Sequence, residues 1–557
     1  MKIALSILLL AAPVELQSQG LPLKHQPQPT HPAIDSADLM TRDYILADDS
    51  MQGRGPGLVG ATRATAYIAS ELARMKLVPG GDAGTFFQVL PLVENTVSDS
   101  TRLSAEGEAL TLWSDVAPYA LRVDASRLRP LDGIQVIYGG VAGDSSHMIT
   151  AEQARGKLVV LTMPRRPDGS RQYLPMSFLL RLSQVSDAAG IAAVSLDVAP
   201  PQLLRAVQAP SMTMSTGDTT TLLTPLLMTT DGAQKFFSQP LDSLPVGAAG
   251  RQVRGNVIVV SRSLGARNVI GLLPGSDPAL KAQVVAMGAH SDHVGMLDHP
   301  IDHDSVRAYN FELERRGQRG PIRGYGSASV PDLKVNVDSL RAIRPARPDS
   351  IFNGADDDGS GSSSLLEIAE AFASSRERPR RTLLFIWHTG EEMGLDGSAW
   401  HSTHTAVPRD SNVAYLNMDM VGRGMASDIT GGGPRYLQLI GPRRLSTELG
   451  DRIEEVNRGW KVPMLLDYSF DADGHPYNRY CRSDHAMYAR FGIPVTQFSA
   501  GYHVDYHQVT DEPQYLNYPH MALIAQFIHD VAARVANLDH RLVVDKPLPD
   551  PNAPCKQ

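Results

Sequence analysis

Residues 381–397 read RTLLFIWHTGEEMGLDG and place an acidic pair directly after an apolar run. The apolar run has the length and composition of a buried strand. The two adjacent carboxylates, Glu391 and Glu392, repel each other, and near a core each resists ionisation unless positive charge lies close. Two interpretations follow: a solvated loop, or a metal site in which one glutamate binds the ion and the other moves protons.

The same alternation recurs from Asn256 onward, where apolar strands are each followed by polar residues and helix-like segments. This pattern predicts an α/β sheet covered by helices. In such sheets ligands gather at the carboxyl ends of the strands. Besides the glutamate pair, the polar residues at these ends are His290 and Asp292 in QVVAMGAHSDHVG, Asp356, Asp357 and Asp358 in NGADDDGSGSSSLLEIAEAF, Asp419 in NVAYLNMDMVG, and His503, His507 and Asp511 in IPVTQFSAGYHVDYHQVTD.

Each of these residues alone has an ordinary explanation, such as a structural histidine or a helix N-cap. Together they concentrate negative charge at one end of a sheet, and cations are needed to offset it. Imidazole and carboxylate ligands without thiolates suit zinc in a hydrolytic role. Two ions fit better than one, because there are more candidate ligands than a single open site needs and a carboxylate can bridge a pair.

The motifs AHSDHVG, GADDDGSGSSSLLEIA, TGEEMGLDGS, LNMDMVG and DYHQVTD, in this order, resemble those of the co-catalytic di-zinc aminopeptidase family of aminopeptidase Y and glutamate carboxypeptidase II. They cover about 256–535, and the region 35–92 is similar to the N-terminal portion of that family. The resemblance implies a three-layer α/β/α zinc-exopeptidase fold with a mixed central sheet. The block containing GKLVVLTMP and DAAGIAAVSLDV is similar to an inserted, β-rich protease-associated (PA) domain.

The resemblance also implies a ligand set for two zinc ions. One ion would be bound by His290 and Asp419, the other by Glu392 and His507, and Asp357 would bridge them. His299, His303 and His503 are not expected to be ligands.

Four further residues receive roles from the same resemblance. Glu391 would be the general base, and the Tyr506 hydroxyl would stabilise the tetrahedral oxyanion. Asp292 would accept the second ring proton of His290, and Asp358 would follow Asp357 through a cis peptide bond.

The predicted organisation has five parts. An apolar stretch from Ile3 to Val14 after Lys2 is typical of a secretory signal, so a secreted or periplasmic protein is expected. No later stretch is long and apolar enough for a membrane span.

Between about 100 and 250 the β-like runs GIQVIYGG, GKLVVLTMP and AAVSLDV accompany one helical stretch, FLLRLSQVSDAAG. The parts are 1–20 signal peptide, 35–100 N-terminal part of the peptidase domain, 101–250 PA-like domain, 251–540 catalytic domain with an insertion at about 298–350, and 541–557 C-terminal tail.

Composition excludes some functions. The formal net charge of -8 argues against nucleic acid as the main partner. The two cysteines, Cys481 and Cys555, are too few for a thiolate zinc site. Because Cys555 lies in a Pro-rich tail that reads as mobile, no disulfide is expected.

The sequence therefore predicts a di-zinc exopeptidase acting on peptides, and an aminopeptidase in particular. A carboxypeptidase or dipeptidase of the same fold, a one-zinc glutaminyl cyclase and a non-catalytic peptidase-like binding protein are the alternatives. The Arg- and Gly-rich insertion at about 298–350 leaves a lid, a specificity loop, an oligomer contact and a surface loop open. Side-chain preference and oligomeric state are not predicted.

Overall fold

The computed structural model divides into two compact units, residues 1–88 with 267–557 and residues 89–266. It describes residues 21–119, 124–215, 217–315, 337–342 and 345–557. The expected signal peptide at 1–20 and much of the insertion at 298–350 lie outside these ranges. Among the described residues, no helix combines the length and apolarity that crossing a membrane requires.

The elements are numbered along the chain. The strands are β1 Val78–Pro79, β2 Phe87–Val89, β3 Leu92–Val97, β4 Leu103–Ala105, β5 Glu108–Leu110, β6 Val116–Pro118, β7 Gln135–Val141, β8 Leu158–Thr162, β9 Gly190–Val194, β10 Ser211–Met214, β11 Thr224–Met228, β12 Ala249–Arg254, β13 Val259–Ser263, β14 Arg267–Leu273, β15 Val284–His290, β16 Met296–Asp302, β17 Pro348–Ile351, β18 Thr382–His388, β19 Asn412–Met418, β20 Tyr436–Ile440, β21 Leu465–Asp467 and β22 Val495–Ser499. The α-helices are α1 Ser36–Leu46, α2 Val59–Arg74, α3 Ala151–Ala154, α4 Met176–Leu179, α5 Pro201–Gln208, α6 Thr230–Gln234, α7 His303–Arg315, α8 Asp338–Arg341, α9 Gly361–Ser374, α10 Asp396–Thr403, α11 Thr447–Gly459, α12 His485–Ala489 and α13 Tyr518–Ala536.

The central sheet of the first unit is mixed. Its strand order is β1-β14-β18-β15-β19-β22-β20-β21, with β2 also paired to β14. The middle strands β18, β15, β19 and β22 run parallel, whereas β14 and β20 flank them antiparallel. Every residue of β15 is buried. A strand covered on both faces reads as a continuous apolar run rather than an alternating one, as this one does.

Helices cover both faces of this sheet. Alternate residues of a strand point to opposite faces. Val285 and Met287 of β15 accordingly join the hydrophobic cluster that contains residues of α1, α2, α9, α11 and α13. Val284 and Ala286 join a second cluster that contains residues of α12. The result is a three-layer α/β/α unit, which confirms the predicted fold class.

The second unit is built on an eight-stranded sheet, ordered β5-β4-β12-β7-β8-β9-β11-β6, and a three-stranded sheet, β10-β3-β13. Separate hydrophobic clusters lie on the two faces of the larger sheet. The runs GIQVIYGG, GKLVVLTMP and AAVSLDV form β7, β8 and β9 as predicted.

The predicted helix over FLLRLSQVSDAAG is wrong. Only α4 and a separate 3-10 turn, Ser183–Val185, form there. After Leu179 the next fully buried residues are Val185 and Ala188, and a gap of this length breaks the helical period.

The expectation of unpaired cysteines is also wrong, because Cys481 and Cys555 form a disulfide. The C-terminal tail lies against the first unit instead of extending into solvent. Arg490 Nε donates to the carbonyl oxygen of Pro551 at 2.8 Å, and Gln557 Oε1 accepts from the backbone N–H of Tyr480 at 2.9 Å. These bonds hold Cys555 beside Cys481, which residue composition could not reveal.

Candidate metal centre

The polar residues at the strand ends converge, as predicted. His290 is the last residue of β15, and Asp419 directly follows β19. Glu391 and Glu392 lie in the loop after β18, and His507 lies in the loop after β22. Because these four strands are parallel, their carboxyl ends meet at one edge of the sheet.

Asp357 lies between two of the histidines. It belongs to the turn 355–360 that precedes α9, and the peptide bond from Asp357 to Asp358 is cis, as the resemblance implied. One carboxylate oxygen of Asp357 is 3.2 Å from His290 Nε2, and the other is 3.0 Å from His507 Nε2. A single carboxylate therefore faces both sides of the site.

At this sheet edge the potential ligand atoms form two groups, within each of which the atoms lie no more than 4.8 Å apart. The first group is His293, Asp357, Glu392 and His507, and the second is His290, Glu391 and Asp419. All five residues that the sequence proposed as ligands are present, divided between the groups in the proposed pairs. Both groups lie at the same sheet edge, and the Asp357 carboxylate of the first group contacts His290 of the second.

His293 was not anticipated. Its Nδ1 is 2.7 Å from Glu392 Oε1 and 3.8 Å from Asp357 Oδ2, and its ring packs edge-on against His507 with centroids 5.5 Å apart. It is fully buried, and its Nε2 makes no hydrogen bond to the described residues. The sequence does contain a signal for this residue, because His293 is the second histidine of AHSDHVG, three positions after His290.

Asp358 and Asp292 fix the backbone around these groups. Asp358 accepts the N–H of His290 at 3.0 Å and that of Met420 at 3.2 Å, and so it ties the ends of β15 and β19 together. The atom of Asp292 nearest to His290 Nδ1 is its backbone oxygen, at 3.2 Å, whereas its carboxylate is 3.8 Å away. That carboxylate instead accepts the N–H of Glu391 at 3.2 Å.

Arg54 is a second residue that sequence reasoning missed, because the segment QGRGPGLVGA reads only as a glycine-rich loop. Its buried guanidinium donates to five carbonyl oxygens around the Asp357 turn. Its positive charge also lies among buried aspartates, including Asp357 and Asp358. The acceptors, with distances, are Ser291 (3.1 Å), Leu46 (2.9 Å), Asn353 (2.6 Å), Gly354 (2.7 Å) and Asp357 (3.3 Å).

His503 and His303, which were predicted not to be ligands, lie outside the two groups, and His303 belongs to a separate set of potential ligand atoms with Asp349 and Glu512. His503 Nε2 is 3.1 Å from a carboxylate oxygen of Asp356. His303 Nε2 is 2.7 Å from a carboxylate oxygen of Glu512. Tyr506, by contrast, stacks directly on His507 with ring centroids 3.9 Å apart, and so its phenol lies beside the first group.

Comparison with known proteins relates part of the first unit to a family. Residues 268–532 match the model of peptidase family M28. We call residues 268–532, which this model matches, the M28 domain. All five proposed ligands of the M28 domain fall inside the matched residues.

Individual relatives match over shorter stretches. Leupeptin-inactivating enzyme 1 of Streptomyces exfoliatus is 28% identical over 169 residues, which cover 30% of this chain and 33% of that protein. Leucine aminopeptidase 1 of Colletotrichum graminicola is 29% identical over 177 residues, covering 30% and 41%. The alignments thus span less than half the length of either relative. Among solved structures, an aminopeptidase from Aneurinibacillus sp. strain AM-1 aligns with a TM-score of 0.45 at 15% identity, covering 92% of this chain and 97% of that one.

The surroundings of the two adjacent glutamates in the M28 domain shift their pKa values in opposite directions. Burial, with repulsion from Glu392 and Asp419, holds the pKa of Glu391 well above its usual value despite the attraction of His290. Burial and Asp357 also oppose ionisation of Glu392, but His507 and His293 outweigh them and lower its pKa. A pair of carboxyls whose pKa values are driven apart is typical of a division between proton transfer and charge binding.

Asp357 and His507 are an acid and a base that stabilise each other's charged form. Burial disfavours the charged form of Asp357, but hydrogen bonds from His290 and His507 hold its pKa well below the usual value. Burial likewise disfavours the charged form of His507, but Glu392 and Asp357 raise its pKa to about 10. The site is thus a buried arrangement of carboxylates that attracts positive charge.

Proposed function

We propose that this protein is a zinc-dependent aminopeptidase that removes N-terminal residues from peptides, with Glu391 as the general base. The observation that carries the proposal is the pair of ligand groups at the carboxyl ends of four parallel strands, with Asp357 facing a histidine of each group. The M28 match and the relatives named leucine aminopeptidase support it.

The donor set fits zinc. The two groups offer imidazole nitrogens and carboxylate oxygens and no thiolate, which is the ligand chemistry of hydrolytic rather than structural zinc. The repulsion between Glu391 and Glu392 fits a site completed by cations.

We assign two ions to the site. Asp357 would be shared, His290 and Asp419 would complete one position, and Glu392 and His507 would complete the other. His293 would hold Glu392 from behind, the usual arrangement in which an outer partner orients a ligand. When bound, zinc supplies Lewis acidity that polarises a carbonyl and lowers the pKa of water.

Side chains of the protein would transfer the proton and stabilise the oxyanion. Glu391, with its raised pKa, would take a proton from the attacking water and pass it to the leaving amine. Asp292 holds the Glu391 backbone in place. The Tyr506 hydroxyl, beside His507, would donate to the oxyanion that develops on the scissile carbonyl.

The relatives favour a free amine over a free carboxylate as the recognised end of the substrate, because they include a leucine aminopeptidase. In the site itself Asp419 would bind zinc and Glu391 would transfer the proton. The guanidinium of Arg482 lies close enough to interact with both carboxylates, so the choice between the two ends of a peptide is tested directly with substrates.

A substrate panel tests the proposal. Aminoacyl-p-nitroanilides, N-blocked peptides and peptides with an amidated carboxyl terminus would be incubated with zinc-loaded and chelator-stripped protein. We expect cleavage only of substrates with a free amine, loss of turnover after stripping and recovery when zinc is added. Cleavage of N-blocked substrates that carry a free carboxylate would contradict the aminopeptidase assignment. A zinc-binding protein that cleaves nothing would instead support a binding role.

The remaining domain assignments complete the proposal. We infer that the signal peptide at 1–20 exports the protein and that the β-rich region accompanying the peptidase is a PA-like domain. Fractionation of cells that express the full chain, with N-terminal sequencing of the mature protein, tests the export. A cytosolic protein that keeps residues 1–20 would contradict it.

A further inference from the structure

The loop after β22 carries His507 and Tyr506, and it is tied inward to the metal centre. The carboxylate of Asp511 accepts the backbone N–H groups of Asp356 and Asp357, each at 3.1 Å. The position of His507 relative to Asp357 therefore depends on how firmly residues 503–512 are held.

The outer side of this loop meets the segment inserted between β15 and the Asp357 turn. The described parts of this segment are β16, α7, α8 and β17, and β16 pairs with β17 as a two-stranded ribbon. Arg307, on α7, donates to Asp505 at 2.8 Å. Its guanidinium also stacks on the ring of Tyr515, 3.5 Å from the centroid. One side chain of the insertion thus contacts residues before and after His507.

A second anchor joins the insertion to the end of the same loop. His303, the first residue of α7, lies 2.7 Å from Glu512 through its Nε2. Arg347, just before β17, donates to Glu512 through both terminal nitrogens, one of them at 2.9 Å. A residue next to each strand of the ribbon therefore contacts Glu512, which directly follows Asp511.

Both carboxylates that the insertion contacts are buried. Asp505 is fully buried and Glu512 nearly so. A buried carboxylate that loses its cationic partner leaves an uncompensated charge, which is strongly destabilising locally. Arg423 also pairs with Asp505, at 3.2 Å, so this carboxylate keeps a cationic partner in the body of the unit when Arg307 is removed.

We infer that residues 296–315 and 345–351 of the insertion brace the loop that carries His507, with Arg307 and Arg347 as positioning residues. The inference rests on the proposed zinc function, because it predicts that the brace sets the affinity of the ion that His507 helps to bind. These parts of the insertion would thus act on the metal centre through two buried carboxylates, Asp505 and Glu512.

Variants of the full chain separate a positioning role from a general structural one. Arg307→Met, Arg347→Met and the double variant remove the anchors. Arg341→Met is the matched control, because Arg341 pairs with Asp302 and Asp304 inside the insertion. Arg307→Lys keeps the charge and serves if the double variant does not fold.

The readouts are zinc affinity, from competition with a chromogenic chelator, and the melting temperature of the metal-free protein. We expect Arg307→Met and Arg347→Met to weaken binding of one zinc equivalent about 10-fold, the lower end of the loss that removing a direct partner of a ligand causes, because both arginines act on His507 only through its loop. Arg341→Met should match wild type in affinity, and Arg307→Lys should recover part of the loss.

Two results would overturn the inference: unchanged zinc affinity in the anchor variants, or an equal loss in Arg341→Met. Both can occur while wild type binds zinc and cleaves aminoacyl substrates, and then only the brace fails. A wild-type protein that binds no zinc would instead overturn the proposed function itself.

Discussion

The backbone N–H of Glu391 donates a hydrogen bond to the carboxylate of Asp292 at 3.2 Å. Asp292 follows β15 and Glu391 follows β18, and these strands are parallel neighbours in the sheet. The proposed general base is therefore held by the strand that supplies His290. Asp292 is linked to His290 mainly through its own backbone oxygen, so its carboxylate serves Glu391 more directly.

Removing the Asp292 carboxylate should lower both kcat and the free energy of unfolding. Asp292→Ala leaves the Glu391 N–H without a partner, which costs about 1–3 kcal/mol when such a group is buried. Urea unfolding and kcat for an aminoacyl-p-nitroanilide measure the two effects. Asp292→Asn keeps an acceptor oxygen and is the control, and equal losses in Ala and Asn variants would show that the negative charge matters rather than the hydrogen bond.

His293→Ala should weaken zinc binding about 10- to 100-fold, because the imidazole that orients Glu392 is lost. Chelator competition measures the affinity. His520→Ala is the control, since His520 is a buried histidine whose ring bonds the carbonyl oxygens of Arg423 and Tyr436. Wild-type affinity in His293→Ala would remove His293 from the metal centre.

Zinc binding should release protons and tighten as pH rises. In the metal-free site the pKa of His507 is raised to about 10, despite its burial, by Glu392 and Asp357, so its ring is protonated at pH 7. A histidine binds zinc only without that proton, so the ion must displace it, and displacement becomes easier as pH increases toward the raised pKa. Calorimetric titration in two buffers with different ionisation enthalpies measures the release, and buffer-independent heats would contradict it.

Removing the disulfide should destabilise the first unit. Cys481 and Cys555 are separated by 74 positions, and closing a loop of that size stabilises a protein by about 4 kcal/mol in the chain-entropy description. Cys555→Ser should therefore lower the urea midpoint under non-reducing conditions. The double variant Cys481→Ser with Cys555→Ser should equal the single one, and a midpoint unchanged from wild type would refute the contribution.

The sheet and most of the site follow from local sequence. His290 and Asp419 end or follow apolar runs that form parallel strands, and the geometry of such sheets brings their carboxyl ends together. Asp357 could be placed because it precedes a helix whose apolar residues Leu365, Leu366 and Ile368 are all buried.

What local sequence could not predict depends on contacts between distant segments. Arg307 and Asp505 are separated by 198 positions, and neither lies in a periodic pattern that indicates the other. His293 points at Glu392 because of the course of the loop after β15, where its N–H donates to the Arg54 carbonyl oxygen at 3.3 Å. The disulfide likewise depends on where the tail lies, which no hydrophobic period encodes.

The most direct measurement compares Glu391→Gln with wild type in zinc content and in kcat for an aminoacyl-p-nitroanilide. Glutamine keeps the size and the backbone hydrogen bond of Glu391 but cannot accept and return a proton. Two zinc equivalents per chain with kcat lowered about 10²- to 10⁴-fold is the predicted result. Turnover near the wild-type rate with zinc bound would contradict Glu391 as the general base.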